Sequence, residues 1–163
     1  MIRRLILMRH AKSSWDNPLQ SDHDRPLNKR GRRSADALGN WLRGCAYLPD
    51  EILCSTAART CETCDRLRLD DVPTRYLDRL YMAGPDRMLA ALQGATGATV
   101  LMLGHNPGIG DFAQSIVAAP PQHDRFADYP TGATLVVAFE DGAWADLRWR
   151  AGTTEDFVVP HEL

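Results

Sequence analysis

The sequence contains no long apolar run. No segment approaches the roughly 20 apolar residues that a membrane-spanning helix needs. The start of the chain superficially resembles a secretory signal, because basic residues precede the apolar run from Leu5 to Met8. That run is too short for a signal, however, and Arg9-His10 interrupts it. We therefore predict a cytoplasmic protein with no membrane partner.

An excess of charge of either sign is also missing. The 19 basic and 21 acidic side chains leave a formal net charge of −2. A chain of this kind has no general basic field that would attract nucleic acid or an anionic membrane. We expect no nucleic-acid partner, and any site for an anion has to be local.

Motifs for metals, redox chemistry and nucleotide cofactors are absent as well. Cys61 and Cys64 have a suggestive spacing, but no second pair accompanies them, and one helical face would turn both thiols into the core. The segment from Gly104 to Gly110 has neither the Gly-Lys-Ser/Thr ending of a P-loop nor the glycine spacing of a dinucleotide site. We expect no metal and no cofactor.

What the chain does contain is a regular alternation of strand and helix patterns. Short apolar segments predict strands over 5–8, 51–54, 74–77 and 99–103, and a C-terminal hairpin formed by 133–139 and 144–149. Such alternation is typical of an α/β fold, here a three-layer α/β/α sandwich with a mostly parallel central sheet. The length fits a single domain over residues 1–163.

Four helices are predicted between these strands. The first follows the cap Asn28 and ends at Gly44, and the second begins near residue 57 with Ser55 or Thr56 as its cap. The third covers 85–92, and the fourth has Asn106 as its cap and a proline at its first position.

Polar residues that suit an anion stand where several strands end. Arg9 and His10 close the first strand, His105 follows the fourth, and Arg59 lies just after the second. Ligands of parallel sheets bind beyond the carboxyl ends of the strands, so we expect these groups to converge. Two imidazoles and two guanidinium groups, next to a helix start, are typical of a phosphate site.

This cluster suggests a phosphatase that works without a metal. A neutral imidazole can attack phosphorus and form a phosphohistidine that water then hydrolyses, and His10 is the candidate nucleophile. Arginines around the phosphoryl oxygens would stabilise the transition state. An isolated Arg-His pair is more often structural than catalytic, and it is the ordered set of partners that favours catalysis.

The same segments carry a family resemblance. Leu7-Met8-Arg9-His10-Ala11 resembles the Arg-His-Gly signature of the histidine phosphatase superfamily, although alanine replaces the glycine. The segments 55–63 and 104–108 are similar, in order, to the second motif with its arginine and to the second-histidine motif; Glu62 stands where many relatives have glutamine. Within the superfamily the chain most resembles the small phosphohistidine phosphatases of the SixA type, over nearly its whole length.

The resemblance implies a role for each residue of the cluster. It implies the phosphoglycerate mutase-like fold, His10 as the residue that is transiently phosphorylated, and Arg9, Arg59 and His105 as phosphate ligands, with His105 stabilising the transferring group. Relatives that act on phosphate esters use a carboxylate as leaving-group acid, for which Asp78 is the nearest candidate. A histidine-phosphorylated protein is then the expected substrate and partner.

Several points stay open at this stage. Ser13 and Asn106 are further candidates for substrate binding. A small-molecule phosphomonoesterase and a binding module for phosphate or phosphoproteins without catalysis are the alternative functions. His23, His123 and His161 lack a motif and are predicted to be surface residues.

One charged segment also has two interpretations. The basic residues 29–30 and 32–33 form a solvated helix face by default, but they would also suit an acidic partner.

Overall fold

The computed structural model describes residues 2–163, which form one six-stranded sheet flanked by helices. The strands are β1 (Arg3–Arg9), β2 (Glu51–Ser55), β3 (Thr74–Leu77), β4 (Thr99–Gly104), β5 (Thr134–Phe139) and β6 (Thr153–Val158). Their order across the sheet is β3-β2-β4-β1-β5-β6. The first four strands are parallel, while β5 runs antiparallel to β1 and β6 antiparallel to β5.

The helices cover both faces of this sheet, and the predicted α/β/α sandwich is confirmed. They are α1 (Lys29–Gly44), α2 (Ala58–Arg66), α3 (Pro85–Gln93) and α4 (Gly108–Ile116). Alternate residues of β1 feed two apolar clusters: Leu5 and Leu7 pack with α3 and α4, and Ile6 and Met8 pack on the side of α1 and α2. Because both faces of β1 are buried, its apolar residues are consecutive rather than alternating.

The starts of the helices agree with the sequence to within about one residue. Asn28 caps α1 as predicted, its side chain accepting from the Gly31 N–H at 2.8 Å. The cap of α2 is Ala57, without a side-chain bond, in place of the predicted Ser55 or Thr56. Pro107 is the cap of α4, one residue later than predicted, but the Asn106 side chain still accepts from the Gly110 N–H at 3.1 Å.

The predicted C-terminal hairpin is only half correct. Its first strand exists as β5, but Trp144–Asp146 is a 3-10 turn, and β5 pairs instead with the later segment β6. Trp144 and Leu147 are buried from this turn, and the Trp144 indole N–H donates to the Gly97 carbonyl at 2.6 Å. Apolar residues that a 3-10 turn directs into the core therefore imitated the pattern of a strand.

Two further predictions concern isolated side chains. Cys64 is buried, whereas Cys61 is only half-buried, so the expectation that both thiols are enclosed holds for one of them. His161 is exposed as predicted, but His123 is partly buried, with its ring against Phe157 and its Nε2 3.0 Å from Glu162.

None of the helices between residues 2 and 163 is both long and apolar enough to cross a membrane.

Candidate active site

Two histidines meet at the carboxyl edge of the sheet. β1 and β4 are parallel neighbours with Arg9 opposite Gly104, so His10 and His105, which follow them, emerge side by side. Their ring centroids are 5.3 Å apart, and the His10 backbone N–H donates to the Gly104 carbonyl at 3.2 Å. The structure thus brings together residues that the sequence separates, as expected for parallel strands.

The imidazole of His10 is held in one tautomer. Its Nδ1 lies 2.7 Å from the carbonyl oxygen of Ala11, and because a carbonyl only accepts, Nδ1 bears the hydrogen. The lone pair of the neutral ring is then on Nε2. Burial, and after it the neighbouring His105, Arg9 and Arg59, lower the pKa of His10 well below its ordinary value. The ring is therefore neutral at pH 7, as a nucleophile has to be.

His105 is also buried and neutral. Its Nε2 lies 2.8 Å from the hydroxyl of Ser55 at the end of β2. Burial, with a further contribution from the charge of Arg59, lowers the pKa of His105 to about 3. An anion in this site therefore meets a ring that forms hydrogen bonds without a full positive charge.

The two arginines approach the histidines from different elements. Arg9 ends β1 and donates through Nη1 to the Tyr129 carbonyl at 3.2 Å. Arg59, in the first turn of α2, donates to the backbone carbonyl of Asp22 at 2.7 Å and to its carboxylate at 3.1 Å. Burial, followed by the charge of Arg59, lowers the pKa of Arg9.

Three of these four side chains hold a buried nitrogen without a partner. Nε of Arg9, Nε of Arg59 and Nδ1 of His105 make no hydrogen bond to any part of residues 2–163. An unpaired buried polar group costs about 1–3 kcal/mol. An anion with several acceptor oxygens, such as a phosphoryl group, is the kind of ligand that provides acceptors for buried donors of this type.

The start of α4 lies at the same edge of the sheet as this cluster. The helix begins at Gly108, three residues after His105. A Cβ atom at Gly108 would lie 1.8 Å from the carbonyl oxygen of Ala83, so only glycine permits this close approach. The positive end of the helix dipole favours an anion at the same edge.

Asp22 is a site residue that sequence reasoning missed. Its carboxylate accepts from Arg25 at 3.0 Å, from Arg59 at 3.1 Å and from the Tyr81 hydroxyl at 2.5 Å. These bonds, that from Tyr81 first, hold the pKa of Asp22 well below its usual range, so the group stays ionised. The loop 11–26 contains three aspartates, and only the spacing of Asp22 to Arg25, which suits an ion pair within a turn, could have marked this one.

Asp78 lies at the rim of the site within a short chain of hydrogen bonds. The Thr56 hydroxyl donates to its carboxylate at 2.7 Å, and His23 Nε2 lies 3.0 Å from the same hydroxyl. The His23 ring packs edge-on against Tyr81, with centroids 4.8 Å apart. His23, predicted as a surface histidine without a motif, therefore belongs to this rim.

The remaining two candidates are bonded within the protein. The Asn106 amide donates to the carbonyls of Asp128 and Tyr129 at 2.9 and 3.0 Å. The Ser13 hydroxyl accepts from Arg25 at 2.6 Å, which leaves its own hydrogen free to be donated. No group of three or more His, Cys, Asp or Glu side chains within residues 2–163 is arranged to hold a metal ion.

Comparisons with known proteins show the family of this chain. The model of the histidine phosphatase superfamily (branch 1) matches residues 5–81, which include Arg9, His10 and Arg59. A solved structure of a candidate phosphohistidine phosphatase SixA from Nakamurella multipartitia is 35% identical, covers 98% of this chain and 97% of its own, and has a TM-score of 0.87. The chain belongs to the histidine phosphatase superfamily.

Two further relatives of this histidine phosphatase are similar over nearly the whole chain. A candidate SixA protein from Agrobacterium tumefaciens is 27% identical with a TM-score of 0.80, over 97% of this chain and 98% of that one. An uncharacterized protein of Mycobacterium tuberculosis (strain H37Rv) is 34% identical over 160 residues, which is 94% of this chain and 99% of that protein. The protein is thus a SixA-type phosphatase, a hydrolase of phosphoryl groups.

Proposed function

We propose that this histidine phosphatase removes phosphate from phosphohistidine side chains of proteins, through a phosphohistidine intermediate on His10. One observation carries the proposal. The described groups closest to His10 are cations and neutral rings, and the carboxylate bonded to Arg59, that of Asp22, is kept ionised. Such a site binds a phosphoryl group well but holds no evident proton donor for its leaving group.

In the first step the Nε2 lone pair of His10 attacks phosphorus. The new N–P bond forms as the bond to the leaving group breaks, and the electron pair of the broken bond goes to the leaving atom. We assign Arg9, Arg59 and His105 to the three non-bridging oxygens, because these side chains hold the unpaired buried nitrogens. The Nδ1–H bond to Ala11 keeps the ring aligned and stabilises the positive charge that develops on it.

In the second step water attacks the phosphorus of phospho-His10, which releases phosphate and restores the neutral ring. The leaving group of the first step decides the substrate class. An alkoxide leaves poorly unless an acid protonates it, whereas the imidazole of a phosphohistidine departs neutral when its other nitrogen bears a hydrogen. The names of the Nakamurella and Agrobacterium relatives point to the same class. A role for Asp78 as acid stays a prediction.

Trapping the intermediate tests this proposal. The protein is incubated with a protein phosphorylated on histidine and quenched, and the phosphate bound to it is located by mass spectrometry. We expect an acid-labile, base-stable phosphate on His10, and no turnover by His10→Ala. Turnover without this adduct would refute the mechanism.

Rates on other substrates separate the alternative functions. Faster hydrolysis of sugar phosphates than of phosphohistidine at matched concentration would instead identify a small-molecule phosphomonoesterase. Binding of a phosphoprotein without any turnover would identify a non-catalytic module. We further propose that the enzyme acts in the cytoplasm, where its four free cysteines stay reduced, and that residues 1–163 form one domain.

A further inference from the structure

A cavity lined by basic residues includes Lys12, two positions after His10. It has a volume of about 180 Å³, and the residues that line it include Lys12, Arg30, Arg125 and His161. Ser34, Thr131, Pro130 and Pro160 complete its lining. The catalytic steps proposed above use none of these residues; only Arg30 was considered earlier, as part of a basic segment that would suit an acidic partner.

The backbone explains why this cavity borders the catalytic residues. Lys12 follows His10 by two positions, and its carbonyl accepts from the Asn28 N–H at 3.0 Å. A Cβ atom at Gly31 would lie 2.0 Å from the Lys12 carbonyl oxygen, so glycine lets α1 press against this segment. On the other wall, Thr131 precedes Gly132, whose N–H donates to the His10 carbonyl at 2.9 Å.

The charges of the cavity are not balanced. Arg125 is paired with Asp128 at 3.0 Å, but Lys12 and Arg30 form neither a side-chain hydrogen bond nor an ion pair with any of residues 2–163. The nearby carboxylate of Glu162 is bonded to His123 and to the Val159 N–H. No carboxylate of residues 2–163 lines the cavity itself. A protein with a net charge of −2 therefore concentrates unpaired positive charge beside its nucleophile.

A merely solvated helix face would not produce this arrangement. Arg30 and Ser34 lie one turn apart on the same face of α1, but Lys12 and Thr131 come from two other segments to enclose the space. The volume suits one small anionic group rather than an extended ligand. Its position fits a group on the same molecule that delivers phosphate to His10.

We infer that this cavity is an anion subsite that receives a carboxylate side chain of the phosphorylated partner protein, next to its phosphohistidine. The inference rests on the proposed function, because it requires a protein substrate. A carboxylate in the cavity would pair with Lys12 and Arg30 and accept from the two hydroxyls. Charge pairs at the edge of an interface mainly accelerate association, so the subsite would raise kcat/KM rather than kcat.

The test compares two double variants that change the net charge equally. In Lys12→Gln/Arg30→Gln the unpaired cations of the cavity are neutralised. In the control, Lys29→Gln/Arg33→Gln, two exposed cations of α1 outside the cavity are neutralised. Each protein is assayed on a histidine-phosphorylated protein and on phosphoramidate, a small N–P substrate without a carboxylate.

We expect the cavity variant to lose about tenfold in kcat/KM on the phosphoprotein at low salt, and less at high salt because of screening. Its rate on phosphoramidate, which also reports correct folding, should stay within about twofold, as should both rates of the control. An equal loss on both substrates, an equal loss in the control, or no loss at all would overturn the inference.

Two further outcomes separate a failure of the proposed function from a failure of the inference about the cavity. If the unmodified enzyme hydrolyses neither N–P substrate, the proposed function fails whatever the variants do. Titration with inorganic phosphate, followed by NMR, tests the other possible occupant. A second phosphate site that disappears in Lys12→Gln/Arg30→Gln would assign the cavity to free phosphate and refute the carboxylate.

Discussion

Asp22 shows how one side chain sets the state of the active site. Its carboxylate and its backbone carbonyl together take up two of the nitrogens of Arg59, and the same carboxylate binds Arg25 and Tyr81. Arg59 is therefore oriented before substrate arrives, but part of its charge is neutralised. Orientation favours a rapid reaction, and neutralisation weakens the retention of the phosphate product.

Replacing Asp22 with asparagine separates these two effects. The amide side chain of the Asp22→Asn variant can still accept hydrogen bonds but has no charge, so Arg59 should attract phosphate more strongly. We expect the inhibition constant of inorganic phosphate to fall by roughly three- to tenfold, because the substitution removes a negative charge that lies within hydrogen-bonding distance of Arg59. Steady-state inhibition measures this. Asp24→Asn, which alters an exposed carboxylate of the same turn, is the control, and an unchanged or higher inhibition constant for Asp22→Asn would contradict the prediction.

Among the elements, α4 begins at a close backbone contact. Its first residue, Gly108, touches the backbone of residues 83–84, and this contact fixes where the helix starts relative to His105. The sequence predicted the helix to within one residue, with Pro107 at its first position instead of at its cap, but it did not predict the contact, because the 83–84 turn is distant along the chain. Local patterns show that a helix begins and do not show what it touches.

Gly108→Ala tests the importance of this contact. The added methyl group would collide with the Ala83 carbonyl, so we expect a loss of about 1–3 kcal/mol in the free energy of unfolding and weaker phosphate binding. Gly44→Ala is a matched control, because a Cβ atom at Gly44 meets nothing within 4 Å. Urea unfolding of both variants gives the comparison, and equal stability of the two would contradict the role given to Gly108.

For the whole molecule, the burial of two neutral histidines makes folding sensitive to pH. In the folded protein the pKa of His105 is about 3 and that of His10 is well below its ordinary value. In the unfolded chain both rings titrate near 6.5. Below that pH the unfolded state binds more protons than the folded state, so acid lowers the stability of the fold.

The expected size of this effect is about 1.4 kcal/mol per pH unit for each histidine, from about pH 6 down to the folded pKa. Carboxylates also change the free energy of unfolding in this pH range. The informative quantity is therefore the difference in slope between the unmodified protein and a variant that lacks one histidine. We expect His105→Gln to lose stability less steeply between about pH 5.5 and 4 than the unmodified protein, by about this amount. Urea titrations at several pH values, in buffers without phosphate, measure both slopes. Equal slopes would mean that His105 is not buried in its neutral form.

The amino-acid sequence alone was enough to predict the α/β sandwich and the convergence of Arg9, His10, Arg59 and His105. The reason is that apolar runs ending in polar residues can be recognised locally in the sequence. A general rule, that ligands bind at the carboxyl ends of parallel strands, then brings those polar residues to one edge. The strand predicted after β5 was wrong. The burial of Trp144 comes from a 3-10 turn, and a turn of this kind has no distinct apolar pattern in the sequence.

Tertiary structure settled which polar groups lie beside those four residues. The contacts of Asp22 with Arg59 and Tyr81, and of His23 with Thr56, join residues that lie 33 to 59 positions apart. The cavity at Lys12 likewise needs four separate segments to meet. Such contacts form only when the chain has folded around the sheet, because each of these side chains resembles an ordinary surface residue in its own stretch of sequence.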